Sequence, residues 1–208
     1  YANSLSKYFP RILEMMADAA LNPNFTQEEF EAEKAKVLTN IKNEENDVSS
    51  VATKVQLALT YGKNHPYGEI TSEETVNNIT LADIEKFYRD YFVPANAYLI
   101  IIGDVEFEKT KELVTKAFTP WTKAAPPALS YGKPSNVQYT QISFVDMPNA
   151  VQSEVSVQNI IDLKMKDEGY LPALIANQIL GGGGEGRLFL NLREDKGYTY
   201  GSYSSMRN

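Results

Sequence analysis

The chain of 208 residues contains no cysteine and only one histidine, which excludes several kinds of site. Without cysteine, neither a disulfide nor a thiolate metal site can form. The cysteine count therefore does not distinguish an oxidising from a reducing compartment. The single histidine, His65, lies in an Asn-His-Pro turn, where we expect it to pack rather than to bind metal. Acidic residues outnumber basic ones by 27 to 20. This balance argues against nucleic acid or an anionic membrane as a partner, and we expect no membrane span.

The apolar residues follow both helical and strand periods, which predicts an α+β fold. Helical spacing is found at Pro10–Leu21, in a long segment capped by Thr26 and Glu29, and at Val51–Tyr61, Leu81–Tyr91, Asp104–Phe118, Lys166–Leu180 and Arg187–Lys196. Apolar runs or alternation predict strands at Tyr98–Ile102, Val137–Asp146, Val151–Ile160 and Tyr198–Ser205. Helices and strands therefore mix along the whole chain.

A proline-rich segment, PWTKAAPPALSYGKP, is the strongest linker signal in the chain. It predicts three parts: residues 1–120 in one α+β domain, residues 121–136 as a linker, and residues 137–208 in a second α+β domain.

The stretch Gly181–Gly201, GGGGEGRLFLNLREDKGYTYG, combines a glycine run, a short helix and a tyrosine-rich segment. A left-handed Gly197 should end the helix. Arg193 and Tyr200 lie on either side of this turn, so a guanidinium and a phenol are able to line one cleft. Spacing alone favours a simpler interpretation, in which Arg193 is solvated and Tyr200 is half-buried. The glycines also fit G-x-G-x-x-G, but a helical pattern precedes them instead of the strand that a dinucleotide site requires. We therefore expect a helix cap and a close backbone approach.

The motif RLFLNLREDKGYTY resembles the second-domain signature of the insulinase/pitrilysin metallopeptidases, the inverzincins, which reads R-L-F-x-x-L-R-E-x-x-G-x-x-Y. In that family the final arginine and tyrosine face the zinc across a closed chamber, so the resemblance assigns substrate and transition-state binding to Arg193 and Tyr200. It also implies repeated α/β sandwich domains, each an antiparallel-rich sheet with helices on one face. Residues 1–120 would then be the later part of one such domain, and residues 137–208 the first part of the next.

A second segment, FEAEKAKVLTNI, resembles the family pattern F-E-x-E-K-x-x-V-L-x-E-I, whose last glutamate completes the zinc site. Asn40 stands at that position, and a neutral amide is a poor replacement for a carboxylate on zinc. Glu44, one turn later, is displaced by roughly 6 Å along the helix axis. We therefore predict a degenerate metal-ligand position and no zinc bound by this chain.

The resemblance implies a metal-ligand-deficient half of a zinc metallopeptidase that binds a peptide or small protein. Zinc would be held by an H-x-x-E-H domain in the same polypeptide or in a partner subunit. Two alternatives remain: a structural core subunit without hydrolysis, or a complete peptidase whose H-x-x-E-H lies upstream. Relatives lead us to expect a bacterial periplasm, and an unpaired strand at Tyr198–Ser205 leads us to expect self-association.

Overall fold

The computed structural model describes residues 1–206, and the chain divides into two compact units. The first unit runs from Tyr1 to Val157, and the second begins at Gln158. This division into compact units does not test where the domains of the fold begin and end. The boundaries predicted from the proline-rich linker therefore stay a prediction.

The first unit contains six α-helices and two single 3-10 turns, at Ser6–Tyr8 and Pro94–Asn96. The α-helices are α1 (Phe9–Leu21), α2 (Gln27–Glu44), α3 (Val48–Tyr61), α4 (Glu73–Asn78), α5 (Leu81–Tyr91) and α6 (Phe107–Phe118). Helix α1 contacts α6, and α2 contacts both α3 and α4. The helix predicted at Leu81–Tyr91 is confirmed with the same bounds.

Side-chain caps mark the starts of α2, α5 and α6. Thr26 accepts from the backbone N–H of Glu29 at 3.2 Å, which fixes the start of α2 as predicted. Thr80 and Asp83 form a reciprocal capping box at α5. The helix predicted from Asp104 begins only at Phe107, because the Glu106 carboxylate accepts from the backbone N–H groups of Glu108 and Lys109.

The second unit contains α7 (Tyr170–Gly181) and α8 (Arg187–Phe189), and α8 continues directly into a π-helix over Leu190–Asp195. Helix α7 contacts α8. The helix predicted at Arg187–Lys196 is therefore present, but its larger part has the wider i→i+5 turn.

The α+β prediction is wrong for the part of the chain that the structure describes, because residues 1–206 contain no β-strand. The segment 98–102, predicted as a buried strand, exposes 95% of Tyr98 and 93% of Ile102. Residues 137–146 and 151–160 run without strand structure, with Phe144 and Val155 exposed. Alternating apolar residues supply the side chains of a strand, but a strand also needs a ladder of backbone hydrogen bonds to a neighbour. Such ladders are absent here.

The same correction applies to Tyr198–Ser205. The hydroxyl of Thr199 donates to the carbonyl of Gly201 at 2.9 Å and accepts from its N–H at 3.2 Å, so the segment contains a local turn instead of a strand. The unpaired strand that led us to expect self-association is therefore absent. Self-association itself stays a prediction.

The buried core of the first unit is small. Its most buried apolar residues are Leu13, Ala17, Ile41, Val76 and Val93, each with at most 5% of its surface exposed. Burial along α2 is uneven, since Ile41 is buried while Val37 is 41% exposed.

Candidate functional site

The turn after the π-helix brings Arg193 and Tyr200 together. Gly197 has φ +64°, which confirms the left-handed residue predicted there. Its N–H donates to the Arg193 carbonyl at 3.0 Å, and the next N–H, from Tyr198, donates to the Leu192 carbonyl at 2.9 Å. These two bonds cap the helix end and reverse the chain, so that Tyr200 returns toward Arg193.

The guanidinium of Arg193 lies among groups from both sides of that turn. Its Nη1 donates to the backbone carbonyl of Tyr200, and its Nε donates to the Glu194 carboxylate at 3.3 Å. The Cζ atom is 5.4 Å from the ring centroid of Phe189 and 5.7 Å from that of Tyr200, within cation–π range. The side chain is 38% exposed. The guanidinium is therefore held in place, whereas a freely solvated arginine would keep many rotamers.

The Tyr200 side chain is 81% exposed, which differs from the half-buried phenol that spacing alone suggested. The two neighbouring tyrosines, Tyr198 and Tyr203, are also exposed, but Tyr203 packs on Phe189 with ring centroids 5.7 Å apart. A phenol with an accessible hydroxyl and a guanidinium with free donors form a suitable surface for carbonyl or carboxylate oxygens.

The glycine run packs against the segment that carries Tyr200. A Cβ on Gly181 would lie 2.6 Å from the backbone nitrogen of Ser204, and a Cβ on Gly186 would lie 2.8 Å from the Gly181 Cα. The predicted close approach is confirmed, and helix α7 precedes these glycines as expected. Reasoning from the sequence missed two residues here, Asn177 and Ser204, which bond to each other. The signal was a polar Asn inside the apolar α7.

Asn40, the predicted degenerate metal-ligand position, is exposed on α2, one residue before the buried Ile41. Glu44 pairs with Lys54, with 2.9 Å between Oε2 and Nζ. This carboxylate is thus held by an ion pair to α3. Among the residues that the structure describes, no group of three His, Cys, Asp or Glu side chains surrounds Asn40.

His65 is buried, with 7% of its surface exposed, in a cluster of aromatic rings. Its ring stacks on Tyr61 at 4.9 Å and meets Tyr131 edge-on at 4.6 Å, while Nδ1 accepts from the Tyr67 N–H at 3.1 Å. These contacts support the predicted packing role. Within residues 1–206, no three His, Cys, Asp or Glu side chains lie close enough together to hold a metal ion.

Over the same residues, none of the helices is both long and apolar enough to cross a bilayer.

Two family profiles match the sequence. The profile described as insulinase (peptidase family M16) matches residues 1–73, and the one described as the peptidase M16 inactive domain matches residues 78–208.

Curated relatives match almost the whole chain at low identity. An uncharacterized zinc protease of Bacillus subtilis is 24% identical over 208 residues, which cover 98% of this chain and 49% of the relative. An uncharacterized zinc protease of Mycobacterium tuberculosis is 24% identical over 212 residues, covering 99% of this chain and 47% of the relative. The chain thus spans about half the length of these relatives.

Solved structures share the fold. A peptidase M16 inactive domain from Pseudomonas fluorescens superposes with a TM-score of 0.76 at 21% identity, covering 99% of this chain and 50% of that one. A protease from Helicobacter pylori gives a TM-score of 0.73 at 20% identity, covering 97% and 49%.

Proposed function

Because this chain belongs to the peptidase M16 (insulinase) family and includes its inactive-domain region, we propose that it binds peptide through Arg193 and Tyr200. In this proposal the chain is the metal-ligand-deficient half of a zinc metallopeptidase. It presents the pair to a zinc site on another domain of the same polypeptide or on a partner subunit.

The observation that carries the proposal is the geometry of the pair. Arg193 is fixed by its bond to the Tyr200 carbonyl and by the Phe189 ring, while the Tyr200 hydroxyl is accessible. A fixed guanidinium offers remaining N–H donors to the carbonyl oxygens or terminal carboxylate of a peptide. A phenol hydroxyl is able to donate to the oxyanion that develops during peptide hydrolysis.

The residues described here do not fit a zinc site of their own. Asn40 offers a neutral amide, Glu44 is paired with Lys54, and His65 is buried among aromatic rings. A catalytic zinc needs three protein ligands. We therefore assign this chain no step that passes through the metal, and its contribution is limited to binding the peptide and to hydrogen bonds with the transition state.

A structural subunit of the same fold is the alternative, and it accounts for Asn40 equally well. The two functions differ in what they require of Arg193 and Tyr200, because a purely structural subunit has no chemical use for an exposed phenol beside a fixed guanidinium. Substitution of these two residues in the assembled peptidase separates the functions.

Tyr200→Phe should lower kcat about a hundredfold, because one hydrogen bond to the transition state is lost while the ring is kept. Arg193→Ala should raise KM as well, because binding to the ground state is also lost. Turnover of a fluorogenic peptide measures both effects, and zinc content should not change.

Tyr198→Phe is the matched control. Tyr198 is 79% exposed, nearly as much as Tyr200, and it lies two residues away. Its substitution should leave turnover within about twofold of the parent, a difference below roughly 0.5 kcal/mol. If Tyr200→Phe behaves like Tyr198→Phe, the proposal fails and the structural subunit becomes the better account.

A further inference from the structure

We infer that Asn177 and Ser204 are positioning residues for Tyr200. Their hydrogen bonds hold the segment that carries Tyr200 against the C-terminal end of helix α7, and we call this set of bonds the tie. The effect that we expect on peptide turnover rests on the proposed function. The tie itself is a property of this chain and is testable without activity.

Three hydrogen bonds form the tie. The Asn177 side-chain amide donates to the Ser204 carbonyl at 3.3 Å, and the Ser204 hydroxyl donates to the Asn177 carbonyl at 3.2 Å. The Ser204 backbone N–H donates to the Gly181 carbonyl at 2.9 Å. The carbonyls in the last turn of a helix have no partner within that helix, so this third bond caps α7 with the segment that carries Tyr200.

The tie is close because position 181 lacks a side chain. A Cβ there would be 2.6 Å from the Ser204 nitrogen and 2.9 Å from its Oγ, distances that would displace the segment. Both Asn177 and Ser204 are partly buried, so solvent competes less for these bonds than it would at the surface.

Tyr200 lies between two anchors of this kind. On one side, the Tyr198 N–H is bonded to the Leu192 carbonyl, and on the other, Ser204 is bonded to α7. The phenol itself is exposed, so its own packing fixes it little. Ser204 comes four positions after Tyr200, a span of at most about 14 Å. Together with the bond from Arg193 to the Tyr200 carbonyl, the two anchors therefore set the main-chain position from which the phenol extends.

The first test needs no turnover. A fluorine label on the Tyr200 ring, introduced as 3-fluorotyrosine, reports its surroundings by 19F NMR. Ser204→Ala and Asn177→Asp should each shift or broaden the resonance, because the first removes a donor and the second replaces an amide donor by an acceptor. Ser205→Ala is the matched control, since this neighbouring side chain is exposed and should leave the resonance unchanged.

The second test uses the assembled peptidase. Misplacing a catalytic group by about 1 Å costs up to roughly a hundredfold in rate, so we expect Ser204→Ala and Asn177→Asp to lower kcat by about tenfold or more with little change in KM. In a Tyr200→Phe background the same changes should cost under about twofold, because the hydroxyl that they position is already absent. A role in general stability would instead give equal losses in both backgrounds.

The outcomes separate the two proposals. If Tyr200→Phe keeps full turnover but the 19F resonance responds to Ser204→Ala, the tie stands and the proposed function fails. An unchanged resonance in both variants overturns the tie, whatever the turnover. If the variants fail to fold, hydrogen exchange in the unsubstituted chain decides: the Ser204 amide should exchange more slowly than the Ser205 amide, and equal rates would contradict the inference.

Discussion

Two stretches of this chain resemble parts of the peptidase active site, and they differ in what surrounds the residues in question. In α2, Asn40 is exposed, and the nearby Glu44 is paired with Lys54. In the second unit, Arg193 is bonded to the Tyr200 carbonyl and lies against the Phe189 ring. In the first stretch an exposed amide stands where the resemblance places a carboxylate ligand, whereas in the second both Arg193 and Tyr200 are present and Arg193 is held by its contacts. We therefore expect substitutions in the second stretch to have the larger effects.

The largest change in stability is expected at Gly181, where helix α7 closely approaches the backbone of Ser204. Gly181→Ala would place a Cβ 2.6 Å from the Ser204 nitrogen, so the segment must move. Forcing one carbon into a packed contact typically costs about 2 kcal/mol. We expect a loss of this size in the free energy of unfolding, measured by urea denaturation.

Gly184→Ala provides the matched control within the same glycine run. The nearest atom to its Cβ would be Cε1 of Phe189 at 3.9 Å, an ordinary contact. This variant should unfold at nearly the parental urea concentration. Equal losses for Gly181→Ala and Gly184→Ala would show that the close approach to Ser204 has no special importance.

A smaller effect is expected in the α2 stretch, whose role is structural in this account. The Lys34 ammonium donates to the carbonyls of Asn77 and Ile79 at 2.9 and 3.0 Å, which joins α2 to the end of α4. Lys34→Met should lower the free energy of unfolding by about 1 kcal/mol, since hydrogen bonds from charged groups are stronger than neutral ones.

Lys36→Met is the control for Lys34→Met. Lys36 pairs with the exposed Glu33 on the same helix, and an exposed pair contributes about 0.5 kcal/mol or less. If the two variants unfold alike, the contact between α2 and α4 does not depend on Lys34.

The smallest effect concerns the caps that start the helices of the first unit, and it depends on pH. Hydrogen bonds from the Thr80 hydroxyl and then from its backbone N–H lower the pKa of Asp83 below its ordinary value of 3.8. A lowered pKa in the folded state means that the carboxylate stabilises the fold fully above pH 3.8 and loses this contribution as the pH falls through the folded pKa. Asp83→Asn should therefore lower the melting temperature at pH 7, with a difference from the parent that shrinks below pH 3.8.

Asp104→Asn, which removes an exposed carboxylate outside the helices, is the control for this pH dependence. A difference between Asp83→Asn and the parent that is the same at pH 7 and at pH 3 would contradict the role of the charged cap.

The sequence predicted the helices and their caps far better than the extended segments. Thr26, Thr80 and Gly197 act locally, within three or four residues, so their effects are visible in the sequence. A strand depends on a hydrogen-bonded neighbour elsewhere in the chain. Alternation in segments such as 137–146 does not indicate whether that neighbour is present.

In the candidate site, too, contacts between residues near in sequence were predictable and contacts between distant residues were not. The proximity of Arg193 and Tyr200 follows from a helix, a glycine turn and a return of the chain, all within eight residues. The bonds between Asn177 and Ser204 join positions 27 residues apart, and a single sequence contains no signal for such a pair beyond a polar residue inside an apolar helix. The π-helical turn at Leu190–Asp195 was equally unpredictable, because its residues fit an ordinary α-helix.

The most direct measurement compares the two stretches in one assay. It determines kcat/KM for Asn40→Ala and for Tyr200→Phe in the assembled peptidase, with the same peptide as substrate. The account predicts that Asn40→Ala stays within about twofold of the parent while Tyr200→Phe falls about a hundredfold, with zinc content equal in both. A loss on Asn40→Ala as large as that on Tyr200→Phe, accompanied by loss of zinc, would contradict it, because Asn40 would then belong to the metal site and this chain would not be the ligand-deficient half.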